Sequence, residues 1–258
     1  MGAKSWESGV WGLESGVWSL ELRVKKSTVI IPCPPLLHSS TPPLPHSSLH
    51  YIYLHGFASS PNSAKARDIG DRFAQIHTKL KIPDLNLGDF SHLTITRQLK
   101  QVGAEFLLDA EPVTLIGSSL GGLTAAHLAQ QYSQVRCLVL LAPAFGFLSH
   151  WLPKLGDKLQ RWQQEKYLEV YHHSEKRDLP LHYDFIIDAA QYQEEQLQRP
   201  IPTLILHGKQ DEVIPIQASR NFARSHPWVE LIELNSDHAL GNVTSEIWQA
   251  IRLFCQLP

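Results

Sequence analysis

The sequence predicts an α/β protein in which a mostly parallel sheet is covered by helices on both faces. Short segments that are apolar throughout, such as "VTLIGS" and "TLILHG", alternate with longer segments whose apolar residues recur at helical spacing. Strands of a parallel sheet have this character because its crossover connections place helices on each side. We therefore expect one α/β domain over residues 49–258, preceded by a segment of a different kind.

The elements of this domain follow one another in a regular order. The first helix is expected behind Pro61 and Asn62, residue types common at helix N-termini, and the later elements follow from the same apolar periodicity. The predicted strands are "LHYIYLH" (49–55), "KLKIPDL" (79–85), "VTLIGS" (113–118), "VRCLVLLAP" (135–143), "TLILHG" (203–208) and "WVELIEL" (228–234). The predicted helices cover 62–77, 94–108, 119–132, 216–225 and 243–254.

Residues 1–48 differ in composition from the rest. "ESGVWGL" at 7–13 is repeated as "ESGVWSL" at 14–20, and 32–48 is rich in Pro, Ser and His. A glycine in each repeat disfavours a coiled coil, and recurring glutamates disfavour a signal peptide. We expect a disordered or low-complexity N-terminal extension, with a protein-binding tail as the alternative.

Composition excludes several classes of function. The chain has 258 residues, 43% hydrophobic and 19% charged, with a net charge of −2, so no basic face for nucleic acid is expected. Three cysteines at unrelated spacings fit neither a disulfide framework nor a metal site, which favours a reducing cytoplasm. We expect no metal, no cofactor and no membrane insertion, and the oligomeric state stays open.

The segment "GSSLG" at 117–121 follows a predicted strand and precedes a predicted helix, which is the context of a G-x-S-x-G nucleophile elbow. The residues two before and two after the nucleophile must be small so that strand and helix can pass close together. These positions are glycines only if the motif centres on Ser119; centring it on Ser118 would place Ile116 and Leu120 there. Ser119 is therefore the candidate nucleophile, and Ser118 completes the turn. The alternative is a glycine-rich turn without chemistry, or one that binds an anion.

A serine nucleophile needs a base, and the base needs an acid to orient it. In this architecture the acid follows the serine and the histidine comes last. Asp211 and His238 follow the strands at 203–208 and 228–234, so both are expected at the same edge of the sheet as Ser119. The alternatives are a helix-capping aspartate and a surface histidine. Glu212 is a less suitable acid, and Asp237 is assigned to the turn.

An oxyanion hole requires two backbone N–H groups near the nucleophile. Leu120, directly after Ser119, supplies one. The loop "HGF" after the first strand supplies the other through Phe57, because Gly56 allows a tight turn. His55 precedes the serine in the chain and is expected to brace this loop.

These segments resemble a known family. "YLHGFASSPNSAKA", "GSSLGG", "HGKQDEVIP" and "SDHAL" are similar to segments of the α/β-hydrolase superfamily, and the first is especially similar to YqiA/YcfP-like esterases. The resemblance spans about Tyr51 to Cys255. It implies the α/β-hydrolase fold, with Ser119 as nucleophile, Asp211 as acid and His238 as base, and the hydrolysis of carboxylic esters or acyl thioesters.

The segment between the strands at 135–143 and 203–208 is longer than is usual in YqiA-like proteins. We expect a helical lid insertion over about 143–201, where the superfamily places its lid. Its aromatic residues indicate an apolar acyl or aryl pocket, although they could equally attach the lid to the body. His172 and His173 are expected to be solvated. The aromatic residues are Trp151, Trp162, Tyr167, Tyr171, Tyr183 and Phe185.

The sequence therefore predicts a serine hydrolase that acts on a small-molecule acyl ester or thioester through an acyl-enzyme. One alternative is a lyase or carbon–carbon hydrolase of the same fold, as in the menaquinone pathway. The other is a non-catalytic, hydrolase-like binding module.

Overall fold

The computed structural model describes residues 12–14, 17–19, 50–106 and 111–258. Contacts divide the chain into one unit over residues 1–30 and another over residues 31–258. In the first unit, strands β1 (Gly12–Glu14) and β2 (Val17–Ser19) pair antiparallel. The rest of the predicted extension, residues 1–48, lies outside the described residues, and its disorder stays a prediction.

The second unit is built on a six-stranded sheet in which every pairing is parallel. Its strands are β3 (His50–Leu54), β4 (Leu80–Lys81), β5 (Val113–Ser118), β6 (Val135–Leu141), β9 (Thr203–Gly208) and β10 (Val229–Leu234). They lie side by side in the order β10-β9-β6-β5-β3-β4. An antiparallel hairpin outside this sheet consists of β7 (Tyr167–His172) and β8 (Arg177–His182).

Eight α-helices lie in the described residues of this unit. Five of them correspond to the predicted helices; residues 107–110, at the end of the predicted helix 94–108, lie outside the described residues. No helix in the described part of the chain is long and apolar enough to cross a bilayer. The helices are α1 (Ala64–Gln75), α2 (Ile95–Phe106), α3 (Leu120–Gln131), α4 (Phe147–Leu155), α5 (Asp157–Glu165), α6 (Asp184–Ala189), α7 (Ile216–Ser225) and α8 (Thr244–Phe254).

One predicted strand is much shorter than expected. "KLKIPDL" contributes only the edge strand β4, which pairs through Leu80 and Lys81 with β3. Pro83 has no N–H to donate to a ladder, so the segment leaves the sheet before reaching it.

The two faces of the sheet bury two separate apolar clusters. Within β6, Leu138 and Leu140 join one cluster, while Val139 and Leu141 join the other. Successive side chains of a strand point to opposite faces of the sheet. Because both faces are covered here, the sequence of the strand is apolar throughout. Residues of α2, α3 and α7 pack into the first cluster and residues of α1 and α8 into the second.

The sheet topology fixes where a site can form. β4 lies on one side of β3 and β5 lies on the other, so the direction of chain progression reverses between β3 and β5. Crevices open at the carboxyl ends of the strands at such a switch point. The loops that follow β3 and β5 hold Phe57 and Ser119.

The segment predicted as a helical lid is of mixed structure. It contains α4, α5 and α6, but also the β7–β8 hairpin, which the prediction lacked. In β7, partly buried Leu168 and Val170 alternate with exposed Tyr167, Glu169 and Tyr171. This period of two is typical of a strand and marks the hairpin in the sequence.

Candidate active site

Ser119 lies at the sharp turn between β5 and α3. Its backbone has φ 52° and ψ −118°, in a region that residues other than glycine rarely adopt. The turn is held by its own backbone: the Ser119 N–H donates to Leu141 O at 2.9 Å, and the Ser119 carbonyl accepts from the N–H of Gly122 at 2.9 Å and of Ala144 at 3.1 Å. The strained geometry is thus maintained by bonds to β6 and α3.

The glycines on either side of this turn have no room for a side chain. A Cβ on Gly121 would lie 2.2 Å from the carbonyl oxygen of Leu54, and one on Gly117 would lie 2.4 Å from the carbonyl oxygen of Gly121. Strand and helix therefore pass at a distance that only glycine permits. This explains in physical terms why the motif centres on Ser119.

Three side chains predicted from the sequence form one hydrogen-bonded series. His238 Nε2 lies 3.0 Å from Ser119 Oγ, and His238 Nδ1 lies 2.7 Å from Asp211 Oδ2. An ionised carboxylate only accepts, so Nδ1 carries the proton and the neutral ring leaves Nε2 free to accept from the serine hydroxyl. The geometry thus allows Ser119 to lose its proton to His238.

The Asp211 side chain is fully buried, accepts three hydrogen bonds and lies against a further imidazole N–H. Oδ1 accepts from the N–H of Val213 at 2.9 Å and of Ile214 at 2.8 Å. Oδ2 accepts from His238 and lies 3.1 Å from His207 Nε2. Burial by itself raises the pKa of Asp211, but hydrogen bonds from His207, His238 and the Ile214 N–H outweigh it, so the pKa lies well below its usual range. Asp211 therefore stays ionised beside His238.

The two candidate oxyanion donors flank Ser119. Leu120 is the first residue of α3, so its N–H has no carbonyl partner within the helix. The loop that carries Phe57 lies against the nucleophile, because a Cβ on Gly56 would be 3.3 Å from Ser119 Cβ. Both peptide groups are therefore beside the serine.

His55 braces the loop after β3, as expected from the sequence. The buried ring accepts from the Leu85 N–H at Nε2, 3.0 Å away, and its Nδ1–H donates to Gly56 O at 3.0 Å. Burial lowers the pKa of His55, which keeps the ring in the neutral form these two bonds require. Asp237 also has the expected turn role, accepting from the Leu240 N–H at 3.2 Å.

Two features next to Ser119 were not predicted from the sequence, the hydrogen bond that Ser118 accepts and the burial of Lys65. Ser118 does more than complete the turn, since its Oγ accepts from Lys65 Nζ at 3.0 Å. Burial lowers the pKa of Lys65 to about 8, against the opposing effect of the Asp211 and Asp237 carboxylates. The sequence carries no clear signal for this contact, because Lys65 lies in the first turn of α1 between exposed Ala64 and buried Ala66.

His172 was wrongly expected to be solvated. The ring is buried, packs edge-on against Phe90 with centroids 5.0 Å apart, and accepts at Nδ1 from the Glu175 N–H at 3.2 Å. The neighbouring His173 is exposed, and its N–H donates to Ala58 O at 2.9 Å. The hairpin is thereby attached to the loop after β3, which sequence spacing alone does not reveal.

Two pairs of aromatic residues in segment 143–201 differ in their surroundings. Trp151 and Phe185 pack against the ring of Phe57, with centroid separations of 5.8 and 5.3 Å. Tyr167 and Tyr171 are exposed on the outer face of the hairpin. Of these two pairs, only the first is close to the loop that flanks Ser119.

Comparison with known proteins supports this architecture. A model of the uncharacterised protein family UPF0227 matches residues 50–255. A protein from Agrobacterium vitis S4 that is named as a hydrolase shares 25% identity and a TM-score of 0.71, over 81% of this chain and 88% of that one. No curated protein matches in sequence.

Two further solved structures share the fold. Alpha/beta hydrolase domain-containing protein 10 from mouse has 23% identity and a TM-score of 0.64, over 78% of this chain and 86% of that one. Est1E from Butyrivibrio proteoclasticus, with ferulic acid bound, has 18% identity and a TM-score of 0.67, over 82% and 90% of the two chains. The predicted α/β-hydrolase fold and superfamily are confirmed.

Proposed function

We propose that this chain, which belongs to the family UPF0227 and has the α/β-hydrolase fold, is a serine hydrolase that cleaves carboxylic esters or acyl thioesters. The proposal is carried by the hydrogen-bonded series Ser119, His238 and Asp211, with distances of 3.0 and 2.7 Å. Serine, base and acid at these distances form the arrangement that acyl transfer requires.

The proposed reaction proceeds through an acyl-enzyme. His238 Nε2 takes the hydroxyl proton as Ser119 Oγ attacks the acyl carbonyl, and the bond between the acyl carbon and the leaving group then breaks while His238 returns the proton to that group. Water, deprotonated by His238, then attacks the acyl carbon; the bond from that carbon to Ser119 Oγ breaks, His238 gives the proton to Oγ, and the acid is released. Asp211 remains ionised throughout and orients the imidazole.

The negative charge on the carbonyl oxygen would be stabilised by the N–H groups of Phe57 and Leu120. Their proximity to Ser119 supports these roles. Removing one oxyanion donor commonly costs about 3 kcal/mol of transition-state stabilisation. The backbone of the loop after β3 would therefore make a substantial contribution to the rate, beside that of the Ser119, His238 and Asp211 side chains.

The substrate we propose is a small molecule with an apolar acyl or aryl group. Trp151 and Phe185, packed on Phe57, support an aromatic wall beside the site. Est1E, which shares the fold, is known with ferulic acid bound, an observation on that protein that fits an aryl acid here. The competing interpretation is that these rings serve only to attach segment 143–201, which we propose to be the lid.

Active-site labelling tests the proposal most directly. A fluorophosphonate probe should label the wild-type protein and Ser118→Ala but not Ser119→Ala, with all three confirmed as folded by thermal denaturation. A panel of p-nitrophenyl esters and acyl-CoAs of graded chain length should then distinguish ester from thioester preference. A folded wild-type protein that does not react with the probe would contradict the hydrolase proposal.

The same experiments address the alternative functions. A lyase or carbon–carbon hydrolase would be labelled at Ser119 yet show negligible turnover of aryl acetates. A binding module would show neither labelling nor turnover.

We also propose a cytoplasmic location. Its support is that the three cysteines of the sequence, at unrelated spacings, do not form the pattern of a disulfide framework, which fits a reducing compartment. Fractionation of cells that express the full chain tests it.

A further inference from the structure

A second histidine contacts the acid of the proposed triad. His207, near the end of β9, has a fully buried side chain, and its Nε2 lies 3.1 Å from Asp211 Oδ2. The same carboxylate oxygen is 2.7 Å from His238 Nδ1. Asp211 is thus held between two imidazole rings, and the proposed chemistry uses only one of them.

The partners of His207 fix its tautomer. Nε2 faces Ile214 O at 3.0 Å and the Asp211 carboxylate, which both only accept, so Nε2 carries a proton. Nδ1 lies 2.7 Å from the hydroxyl of Ser219 in α7, which is buried and can donate. A neutral His207 therefore donates from Nε2 toward Ile214 O and Asp211 and accepts at Nδ1 from Ser219, without placing another charge in the core.

We propose that His207 is a positioning residue for Asp211, which it holds in the orientation from which Asp211 supports His238, and that Ser219 fixes the His207 tautomer. This inference rests on the proposed hydrolase function. It extends the series to Ser219, His207, Asp211, His238 and Ser119.

The contact between His207 and Asp211 matters because the two oxygens of the carboxylate have different partners. The N–H groups of Val213 and Ile214 hold Oδ1, whereas the partners of Oδ2 among the described residues are the two imidazoles, His238 at 2.7 Å and His207 at 3.1 Å. Without His207, His238 would be the sole partner of Oδ2, and the carboxylate could rotate about its Cβ–Cγ bond. The bonds from both rings also contribute to the low pKa of Asp211.

Removal of the His207 donor should also change the pH dependence. A carboxylate that has rotated out of its orientation toward His238 would stabilise the protonated imidazole less well. The substitution leaves unchanged the other charged groups of this region, which are Lys65, whose charge interacts with that of Asp211, and Asp237, which interacts with Lys65. The acid limb of the kcat/KM profile should therefore move to lower pH.

The experiment compares His207→Met, which removes both ring nitrogens, with His207→Gln, whose amide N–H can occupy the Nε2 position, and with Ser219→Ala. Hydrolysis of a p-nitrophenyl ester is measured from pH 5 to 9. His207→Met should lower kcat by about 10- to 100-fold with little change in KM, the scale on which loss of a donor to a charged group commonly acts. His207→Gln should restore most of the rate and the acid limb, and Ser219→Ala should lose about fivefold, the effect of one hydrogen bond.

A buried histidine remote from the site provides the matched control. His226 is buried and precedes β10, at the amino ends of the strands and so opposite to Asp211, and its Nδ1–H donates to Phe222 O at 2.7 Å. His226→Gln should leave kcat and the acid limb unchanged. Thermal denaturation of every variant separates loss of fold from loss of rate, and Ser219→Ala keeps the test decisive if His207→Met does not fold.

Two results would overturn the inference. One is a folded His207→Met or Ser219→Ala protein with wild-type kcat and an unmoved acid limb. The other is an equal loss in His207→Met and His207→Gln without any movement of the acid limb, which would mean that His207 only braces the loop through Ile214 O. Failure of the wild-type protein to react with fluorophosphonate is a separate outcome and bears on the proposed function itself.

Discussion

Substitution of Gly121 by alanine tests the steric basis of the nucleophile elbow. Gly121 is the second residue of α3, and an added Cβ would lie 2.2 Å from the carbonyl oxygen of Leu54 and 2.5 Å from that of His55. Carbon and carbonyl oxygen normally approach to about 3.3 Å. Both oxygens belong to the backbone at the end of β3, so they cannot rotate away, and either α3 or this loop must move by roughly the missing 1 Å.

The expected cost follows from two opposing effects. Overpacking of a close-packed contact costs up to about 3 kcal/mol, and alanine regains up to about 1 kcal/mol of helix propensity. The net loss of about 2 kcal/mol in a domain of this size lowers Tm by roughly 4–8 °C. The displacement also separates the Phe57 loop from Ser119, and a 1 Å misplacement can reduce the rate on the order of 100-fold.

The assay is thermal denaturation together with the rate of fluorophosphonate labelling. The matched control is Gly70→Ala in α1, where the added Cβ would meet only Ile82 Cδ1 at 3.5 Å, an ordinary contact. That variant should have an unchanged or raised Tm and wild-type labelling. If Gly121→Ala behaves like Gly70→Ala in both measurements, the close passage of strand and helix is not what requires glycine at the elbow.

Three further predictions concern strain, capping and charge. Ser119→Gly and Ser119→Ala should both lose labelling, but the glycine variant should be about 1 kcal/mol more stable in urea denaturation, because φ is 52°; equal stabilities would argue against strain. Asp188→Ala removes the acceptor of the Thr96 N–H and hydroxyl at the start of α2 and should cost about 1–2 kcal/mol, with an unchanged urea midpoint as the contrary result. The pKa of Lys65 is about 8 in the folded protein against 10.5 ordinarily, so between these values the unfolded chain binds more protons and stability rises with pH. Relative to Lys65→Met, the wild type should gain about 1–2 kcal/mol from pH 7.5 to 9.5, and parallel stability curves would contradict this.

Local pattern was sufficient for most of the fold. The strand segments 113–118 and 203–208 and the helix 216–225 are found with the predicted bounds, because each is long enough to show its period and ends at a clear turn signal. The hairpin β7–β8 was missed because its apolar and exposed residues alternate within a segment expected to be helical. The length of the edge strand β4 was overestimated, because an apolar run in the sequence does not by itself provide a neighbouring strand to pair with.

The order of the candidate site residues was also predictable. Ser119, Asp211 and His238 each follow a buried strand, and parallel strands bring their carboxyl ends to one edge whatever their separation in the chain. Their catalytic roles remain a proposal. The contacts of His207 with Asp211 and of Lys65 with Ser118 could not be predicted, because they depend on how far each side chain reaches across packed elements.

The sequence by itself determined the α/β-hydrolase fold, the tight turn at Ser119 and the chain order of Ser119, Asp211 and His238, whose catalytic roles we propose. These depend on periodicity, on glycine spacing and on a topology that few arrangements satisfy. Only the tertiary structure decided that Asp211 is shared by His207 and His238, that Lys65 reaches Ser118, and that the hairpin is attached to the loop carrying Phe57. Hydrogen bonds between distant segments require positions within a few tenths of an ångström, and such positions are set by the packing of the whole core rather than by local sequence.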